Sequence, residues 1–553
     1  MLKHILLTTT FALSVFYTTY SQDNRGKVRG DFQTDFQLYR SDSLIGAPEV
    51  PEKFRLNGYL NIMYDIGNFS AGVRYETYQN ALLGYDPRYK GSGIASRWAS
   101  YRHQDFEITA GNFYEQFGSG ILLRSYEDRS LGLDNSLDGL KLSYKPVKGV
   151  YLKGVVGQHR YFFDKAPGII RGVDGEIHVN DLREKWNEKH LRVVLGSSFV
   201  SKHQQDKDPL YVLPENVGAY AGRINILHKG KVLFAEYAHK INDPSAVNNI
   251  IYKNGEALFV NMSYSVKGFS TSISAKRIDN MNFRSDRNAT GNVLQINYLP
   301  AITKPHVYVL SGFYPYATQP NGEMGIQGEI GYNIPENTFL GGKYGTNVSV
   351  GFAGVHDIEK VALNDSTSVG QSGTLGYNTN FFSYGDELFF KDVNFSFNRR
   401  LSKNLRMRGE YVNIKYNVDV IKGGEGGIVN AHIGIIDMSY KIKRGRTLRW
   451  EVQHMYIKKA DWYNTDQGNW AMALLEYTMA PNWSFGVMDA FNYGNDDKNR
   501  RIHHYIFSLT YTKNANRISL SYGKQREGIM CVGGVCRIVP ASNGISVSIT
   551  SNF

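Results

Sequence analysis

Alternating apolar and polar residues run along most of the chain and predict β-strands. The pattern is clearest over residues 505–512, 517–523 and 543–553, and it recurs upstream over 258–275. A period of two places successive side chains on opposite faces of a strand. The chain is therefore predicted to be all-β.

Short polar turns and long polar segments alternate between the predicted strands. Tight turns are predicted near 65–68, 102–105, 145–149, 228–231, 265–268, 400–404, 441–445, 479–482 and 512–516. Long segments lie at 40–54, 79–95, 202–216, 241–255, 279–290, 357–387, 417–427, 493–501 and 526–542. Such segregation is typical of an up-and-down membrane barrel with short periplasmic turns and long extracellular loops. Residues 22–553 are therefore predicted to form a single large antiparallel up-and-down transmembrane β-barrel, integral to the outer membrane.

Counting the alternating stretches predicts about 26 strands. The alternative count is 24, because the stretches at 168–180 and 324–354 alternate poorly. An even count places both termini in the periplasm. Phe553 ends the last alternating strand, and this aromatic end resembles the assembly signal that the barrel-assembly machinery recognises.

The first residues predict a secretory signal peptide over 1–21. Lys3 precedes an apolar stretch over 5–17, and the small residues Thr19 and Ser21 suit a cleavage site. The stretch is shorter than the ~20 residues that a spanning helix needs. No later apolar run is long enough for a helical span, whereas abundant Tyr, Phe and Gly suit a barrel.

Charge and motifs exclude several classes of function. The net charge is +12, but the basic residues are scattered, so the sequence predicts no binding of nucleic acid. No catalytic constellation and no cofactor or phosphate-binding motif is found. His503 and His504 are adjacent on a predicted strand and point to opposite faces, so they cannot bind one metal together. We therefore expect no enzyme, no cofactor and no metal. Because strands begin close to residue 22, no plug domain is expected ahead of the barrel.

The same alternation assigns a set of charged residues to the lumen. They are Arg74, Glu76, Arg223, Arg406, Arg408, Glu410, Arg449 and Glu451. One interpretation is cross-strand Arg–Glu ion pairs that hold the wall together; the other is a weakly anion-favouring eyelet. We favour ion pairs, since acidic residues accompany the basic ones. The inward rows show little apolar character, which argues against a transporter for hydrophobic ligands.

Residues 117–139 alternate poorly and carry Arg124, Glu127, Asp128 and Arg129. This stretch is either a loop folded into the lumen, narrowing or closing it, or a long outer loop. A barrel of this size encloses a wide lumen that would leak if it stayed open. That argument raises the expectation of an internal obstruction.

Two cysteines stand in the predicted final outer loop. Cys531 and Cys536 flank Gly533-Gly534, which suits a two-residue hairpin turn because both glycines accept a positive φ. The cysteines would then be directly opposite each other, at a Cα separation that a disulfide requires. We predict a Cys531–Cys536 disulfide that stiffens a surface hairpin.

Four segments are distinctive. They are SLIGAPEVP at 43–51, LGYDPRYKG at 83–91, GNFYEQFGSG at 111–120 and CVGGVCR at 531–537. With them the chain resembles an uncharacterised Bacteroidota family of porin-like outer-membrane β-barrel proteins. The resemblance extends over the whole mature chain and implies an outer-membrane location. It implies no substrate and no catalytic residue.

Two functional hypotheses follow. The leading one is a porin-like channel or transporter for small to medium solutes, based on the polar inward rows and the absence of a plug domain. The alternative is a non-transport barrel, a scaffold or accessory subunit of a secretion, assembly or surface-lipoprotein complex, based on the long outer loops. Expected partners are outer-membrane lipid and lipopolysaccharide, the barrel-assembly machinery and, under the alternative, a surface lipoprotein or secretion-complex partner.

Overall fold

The computed structural model describes residues 26–423, 425–457, 468–532 and 535–553. The predicted signal peptide at 1–21 therefore lies outside the described residues. Within the described residues, twenty-four strands form one sheet. They are β1 (Lys27–Arg40), β2 (Phe54–Ile66), β3 (Phe69–Gln79), β4 (Gly91–His103), β5 (Phe106–Phe113), β6 (Leu137–Val147), β7 (Val150–Tyr161), β8 (Asp164–His178), β9 (Leu191–His203), β10 (Asn216–His228), β11 (Lys231–Lys240), β12 (Gly255–Val266), β13 (Phe269–Asp279), β14 (Glu323–Ile334), β15 (Thr346–Ile358), β16 (Tyr384–Arg400), β17 (Leu405–Asn417), β18 (Ile428–Lys443), β19 (Arg446–Ile457), β20 (Trp470–Met479), β21 (Trp483–Phe491), β22 (His503–Lys513), β23 (Asn516–Gln525) and β24 (Ser542–Asn552).

Only short elements stand outside this sheet in the described parts of the chain. They are α1 (Glu184–Asn187), α2 (Val418–Lys422), six 3-10 turns (Ser43–Ile45, Pro87–Tyr89, Val179–Leu182, Ala246–Asn248, Ser311–Phe313 and Lys498–Arg500) and two small hairpins (Glu127–Asp128 with Leu133–Asp134, and Gly528–Val532 with Val535–Val539). No described helix has both the length and the apolar composition to cross a membrane.

The sheet closes on itself. Each strand pairs antiparallel with its neighbour in the chain, and β24 pairs with β1, where Asp35 lies opposite Ser548. Phe553 extends this seam, since its amide donates to the Gly30 carbonyl at 3.0 Å and its carbonyl accepts from the Gly30 amide at 2.9 Å. The predicted all-β, single antiparallel barrel is confirmed.

The strand count of about 26 is wrong and the alternative of 24 is right. The poorly alternating stretch at 168–180 overlaps β8, and the stretch at 324–354 overlaps β14 and β15. Residues 280–322 are long enough for another hairpin but contribute no strand to the barrel. Instead, their side chains and backbone contact the inner wall of the barrel.

The two ends of the barrel differ in the length of their connections. We call the end with the β2–β3 connection at 67–68 the turn end, and the opposite end the loop end. All nine predicted tight turns connect strands at the turn end. Lys229 and Gly230 both have positive φ there, the conformation of the tight hairpin turn that matches strand twist. The alternation is not complete, because 162–163 is tight at the loop end and 179–190 and 335–345 are long at the turn end.

Large apolar side chains remain exposed on the outward face of the sheet. Ile62, Val73, Phe507 and Leu520 are examples on separate strands. Aromatic rings join them near the turn end, where Trp483 and Tyr511 lie 4.6 Å apart. Lipid shields such an outward belt in transmembrane barrels.

Candidate functional site

Two connections fold back into the barrel. They are residues 114–136, between β5 and β6, and residues 280–322, between β13 and β14, and together we call them the plug. Their backbones join directly: the Arg124 amide donates to the Ile296 carbonyl and the Tyr298 amide to the Gly120 carbonyl, both at 2.9 Å. The Asn135 side-chain amide also donates to the Gln295 carbonyl at 2.8 Å. The two segments thus form one structural unit.

The contacts of residues 280–322 place this unit inside the barrel. On one side the Lys202 ammonium of β9 donates to the Arg284 carbonyl at 2.9 Å. On the other side the Tyr308 hydroxyl donates to Asp437 of β18 at 3.2 Å, and the Leu310 amide donates to the Gln453 side chain of β19 at 2.8 Å. β9 lies far from β18 and β19 around the closed sheet, so one segment can contact all three only if it crosses the lumen.

Apolar packing holds the plug in position. Fully buried side chains of the plug include Phe117, Ile121, Leu122, Leu123, Phe283, Ile296, Ile302 and Leu310. Burying one such side chain stabilises the folded state by about 1.5–3 kcal/mol. For comparison, a shift of a two-state equilibrium from about 1% open to about 99% open corresponds to only about 5.5 kcal/mol. Expelling the whole plug would cost far more, so the plug is a fixed part of the barrel interior.

Much of the wall that packs against residues 302–316 of the plug is apolar, which corrects the expectation that the inward rows show little apolar character. Val412 and Ile414 on β17 and Ile433 and Ile435 on β18 are buried on the inward face against residues 302–316. In β18 both faces are apolar, since the neighbouring outward position Ile436 is exposed. A strand that is apolar on both faces was the sequence signal for a filled lumen.

Close approach of the plug to β11 requires a glycine. Gly118 has a φ of +52°, and a Cβ there would lie 2.3 Å from the Glu236 carboxylate. The next residue, Ser119, donates its amide to that carboxylate at 2.8 Å. A larger side chain would push residues 114–136 away from the wall.

Arg74 and Glu76, two residues predicted to face the lumen, lie in a buried ion cluster with the plug. The Arg74 guanidinium contacts Glu76 at 2.8 Å and Glu127 of the plug at 2.9 Å. Arg160 of β7 contacts Glu76 at 2.5 Å and Asp134 at 2.5 Å. Burial raises the pKa of Asp134, but Arg160 and Arg74 outweigh it, so the pKa lies below its ordinary value.

Glu76, Glu127 and Asp134 bring carboxylate oxygens close enough to hold a metal ion together. The guanidiniums of Arg74, Arg160 and Arg129 pair with them and already neutralise their three charges. The cluster is therefore an attachment of the plug to β3 and β7.

The other charged residues predicted in 117–139 also make contacts within the lumen. Arg124 lies over the ring of Tyr298 at 4.1 Å. Arg129 contacts Glu127 at 2.8 Å and donates to Gln33 of β1 at 2.6 Å. Asp128 accepts a hydrogen bond from the Leu131 amide at 3.1 Å and shapes the small hairpin. The structure thus places this stretch in the lumen.

Most of the remaining predicted lumen residues form ion pairs. Arg223 contacts Asp174 and Glu176, both at 2.8 Å. Arg449 contacts Asp437 at 3.1 Å and also Glu451. The pairs of Arg223 and the Arg449–Asp437 pair join different strands of the inner wall, whereas Arg449 and Glu451 are neighbours on β19.

A histidine of the plug joins it to two carboxylates of the wall. His306 contacts Asp392 of β16 and, at 3.4 Å, Glu410 of β17. Arg408 lies 3.8 Å from the same Glu410. Burial opposes protonation of His306, but the hydrogen bonds that its ring donates to Asp392 and Glu410 outweigh burial and raise its pKa to about 9.

The inner wall of β21–β24 differs from the wall that faces the plug. It presents small hydroxyl residues in neighbouring registers, which we call the serine wall: Ser484, Ser508, Thr510, Ser519, Ser521, Ser546 and Ser548. These side chains are partly exposed or exposed, whereas outward neighbours such as Phe507 and Leu520 face the lipid side. Among the described residues, no hydrogen bond joins the plug to the serine wall. This part of the lumen is polar and accessible to water.

A basic cavity opens at the turn end, below residues 302–316. Its volume is about 360 Å³. Its lining includes Arg400, Lys403, Arg406, Arg408, Lys441 and Arg449, with Asp437 as the single carboxylate. Arg406, predicted to face the lumen, is thus a cavity residue rather than an ion-pair partner.

The chain belongs to DUF6029. This is a family of unknown function, and its model matches residues 1–553. A comparison with curated proteins finds no match.

Solved structures of similar shape are large β-barrels with little sequence identity to this DUF6029 member. The P pilus usher (PapC) translocation pore has a TM-score of 0.44 and 9% identity, covering 95% of this chain and 99% of that chain. A mutant of the ferric enterobactin receptor (PfeA) from Pseudomonas aeruginosa has a TM-score of 0.43 and 10% identity, covering 96% and 81%. OccD3 (OpdP) from Pseudomonas aeruginosa has a TM-score of 0.36 and 10% identity, covering 96% and 91%. Likenesses at this level assign no function.

The cysteine-bearing connection between β23 and β24 reaches into the lumen. Cys531 pairs with Cys536 in the register of a small hairpin, which we call the lid hairpin (528–539). The turn residues 533 and 534 lie outside the described residues, and the disulfide stays a prediction. Asn292 of the plug donates to the Cys536 carbonyl, and the Arg526 guanidinium beside the hairpin lies 3.9 Å from the ring centre of Phe313. The hairpin thus lies in the predicted final connection, at the loop end, and it also contacts the plug.

Proposed function

We propose that this protein is an outer-membrane channel or transporter for small to medium polar solutes, with a path between the plug and the serine wall. The observation that carries the proposal is the contrast within the lumen. One part of the wall is buried against the plug, and the other is hydroxyl-lined and accessible to water. Because expelling the plug is too costly, solutes pass beside it.

The location is part of this proposal. A closed barrel with an outward apolar belt and an even number of strands suits the outer membrane of a Gram-negative bacterium. The proposed orientation has the turn end and both termini in the periplasm, after removal of a signal peptide at 1–21. Phe553 at the seam supports a role in assembly by the barrel-assembly machinery. A source among the Bacteroidota rests on the resemblance of the four distinctive segments alone.

The lid hairpin supports a gate at the loop end. It connects β23 and β24, two strands of the serine wall, and it contacts the plug through Asn292 and Phe313. The hairpin therefore bridges the gap between the serine wall and the plug. Movement of this hairpin alone would open the path at far lower cost than movement of the plug.

Single-channel recording in planar bilayers tests the path with a matched pair of variants. Ser521→Cys places a thiol on the serine wall, and Leu520→Cys places one on the adjacent outward position. A bulky, membrane-impermeant thiol reagent should reduce the conductance of Ser521→Cys and leave Leu520→Cys unchanged. Equal responses of the two variants would contradict the path. A complete absence of conductance and of solute uptake in the unmodified protein would contradict the channel itself.

One observation favours the alternative, a scaffold or accessory subunit of a surface complex. Leu210 and Val212 are 84% and 87% exposed on the long connection between β9 and β10. That connection is held by its neighbour, since the Tyr252 hydroxyl donates to the Val212 carbonyl at 2.9 Å. Exposed apolar residues on an ordered surface are typical of docking sites.

Crosslinking and co-purification in mild detergent discriminate between the two functions. A stoichiometric partner that is lost in a Leu210→Ser, Val212→Ser variant would support the scaffold. A barrel that purifies without a partner and conducts would support the channel. Leu44→Ser, at another exposed outer position, is the control for a general effect of removing surface leucine.

A further inference from the structure

We infer that the basic cavity at the turn end is an anion-binding site, and that the solutes of this barrel carry carboxylate or phosphate groups. The inference deepens the proposed function and rests on it for the link to transport. The binding site itself stands on the geometry of four neighbouring strands, β16 to β19.

The first observation is a pair of like charges in direct register. Arg400 of β16 lies opposite Arg406 of β17, and both belong to the inward row. Like charges directly opposite on one face destabilise a sheet. Arg223, by contrast, has Asp174 and Glu176 as partners, and Arg160, which lies opposite Lys165, has Glu76 and Asp134. An arrangement that costs stability in the empty barrel is explained if an anion bridges the two guanidiniums.

The second observation is the shortage of counter-charge. Asp437, the carboxylate in the lining, already accepts two hydrogen bonds from Arg449, both at 3.1 Å. No carboxylate in the described ranges lies within ion-pair distance of Arg400, Lys403, Arg406 or Lys441. The cavity therefore concentrates positive potential in a confined, inward-facing space, which attracts anions.

The third observation concerns the chemistry and size of the site. Guanidinium groups bind carboxylate and phosphate oxygens through two parallel hydrogen bonds, and lysine adds a point charge. Ser439 lies between Arg406 and Arg449 in register and offers a hydroxyl donor. A volume of about 360 Å³ is at the lower end for small-molecule pockets. These features fit a small organic anion or inorganic phosphate. A lipid headgroup would have to reach the site from outside the wall, whereas these side chains face the lumen.

Binding is tested with the intact barrel in detergent. Isothermal titration with inorganic phosphate and with citrate should show saturable binding that weakens at least tenfold in Arg400→Gln, Arg406→Gln. The control, Lys267→Gln with Lys513→Gln, removes two charges at the turn end but outside the cavity and should bind as the unmodified protein does. Equal loss in both variants, or no saturable binding in any of them, would overturn the site. Binding that needs added lipopolysaccharide headgroup fragments and excludes phosphate would overturn the solute class.

Reversal potentials in a potassium chloride gradient test the link to transport. The unmodified barrel should be anion-selective, and Arg400→Gln, Arg406→Gln should lower the chloride-to-potassium permeability ratio several-fold with conduction retained. Conduction without anion preference would overturn the inferred solute class but leave the channel. Saturable phosphate binding in a barrel that never conducts would overturn the channel but leave the anion site. The two failures are thus distinguishable.

Discussion

The lumen has two unlike halves. The wall formed by strands such as β10, β11, β17 and β18 is lined with buried Val, Ile and Ala and is covered by the plug. The wall formed by β21–β24 is lined with Ser and Thr that stay accessible. The outward apolar belt is common to both halves, whereas the inward face of each strand depends on what fills the lumen beside it. Apolar inward rows indicate a fixed protein filling, and small hydroxyl rows indicate water.

The largest effect should come from weakening the filled half. Leu310→Ala removes a fully buried plug side chain and should lower the free energy of unfolding by about 2–5 kcal/mol, as expected for a cavity in a packed core. Ser548→Ala on the serine wall should change it by no more than about 0.5 kcal/mol. Urea titration followed by the gel mobility of folded barrels measures both variants. Similar losses for the two would remove the distinction between the halves.

Opening the gap between the halves is the next test. A cation–π contact such as Arg526 over Phe313 contributes about 0.5–2 kcal/mol. Its loss in Arg526→Ala should therefore raise the ratio of open to closed time by between about twofold and thirtyfold. Single-channel recording measures this ratio, and Arg446→Ala at the turn end serves as control. An unchanged ratio would show that the lid hairpin is not the gate.

The attachment of the plug to the wall should depend on pH. The pKa of His306 is raised to about 9 in the folded protein. Its ion pairs with Asp392 and Glu410 therefore stabilise the folded state in full at a pH below about 6.5, the pKa of histidine in the unfolded chain. That contribution is lost as the pH rises through about 9. Unfolding by urea should therefore become easier between pH 7 and pH 10. His306→Gln should flatten this dependence, and a profile that stays steep in the variant would assign it to other groups.

The smallest effect on opening of the lid hairpin should come from reduction of the predicted Cys531–Cys536 disulfide. The register of the lid hairpin places the two residues opposite each other. A bond that closes so short a loop should stabilise at the lower end of about 2–4 kcal/mol. Mass spectrometry of the unreduced protein should find no alkylatable thiol, and reduction should increase lid opening slightly. Two reactive thiols in the folded barrel would refute the bond.

Sequence reasoning predicted the candidate site in part. Parity assigned Arg74, Arg223 and Arg449 to the inner wall, and in the structure they pair with Glu127, Asp174 and Asp437. Such an assignment is possible where strands alternate regularly, because a slip of one residue would reverse every side chain. It left residues 117–139 undecided and gave 280–322 no role in the lumen. Irregular segments have no periodicity, and their contacts join residues such as Tyr308 and Asp437 that are far apart in the chain.

The sequence by itself determined the all-β class, the alternation of tight and long connections at nine turns, the inward and outward faces of regular strands and the pairing of the cysteines across a hairpin. These features depend on neighbours in the chain, through a period of two and local turn geometry. Only the tertiary structure decided the count of twenty-four strands, the filling of the lumen by residues 114–136 and 280–322, and the meeting of Arg400, Arg406 and Lys441 around one cavity. Each of these depends on closure of the sheet, because closure alone brings distant strands to face one another.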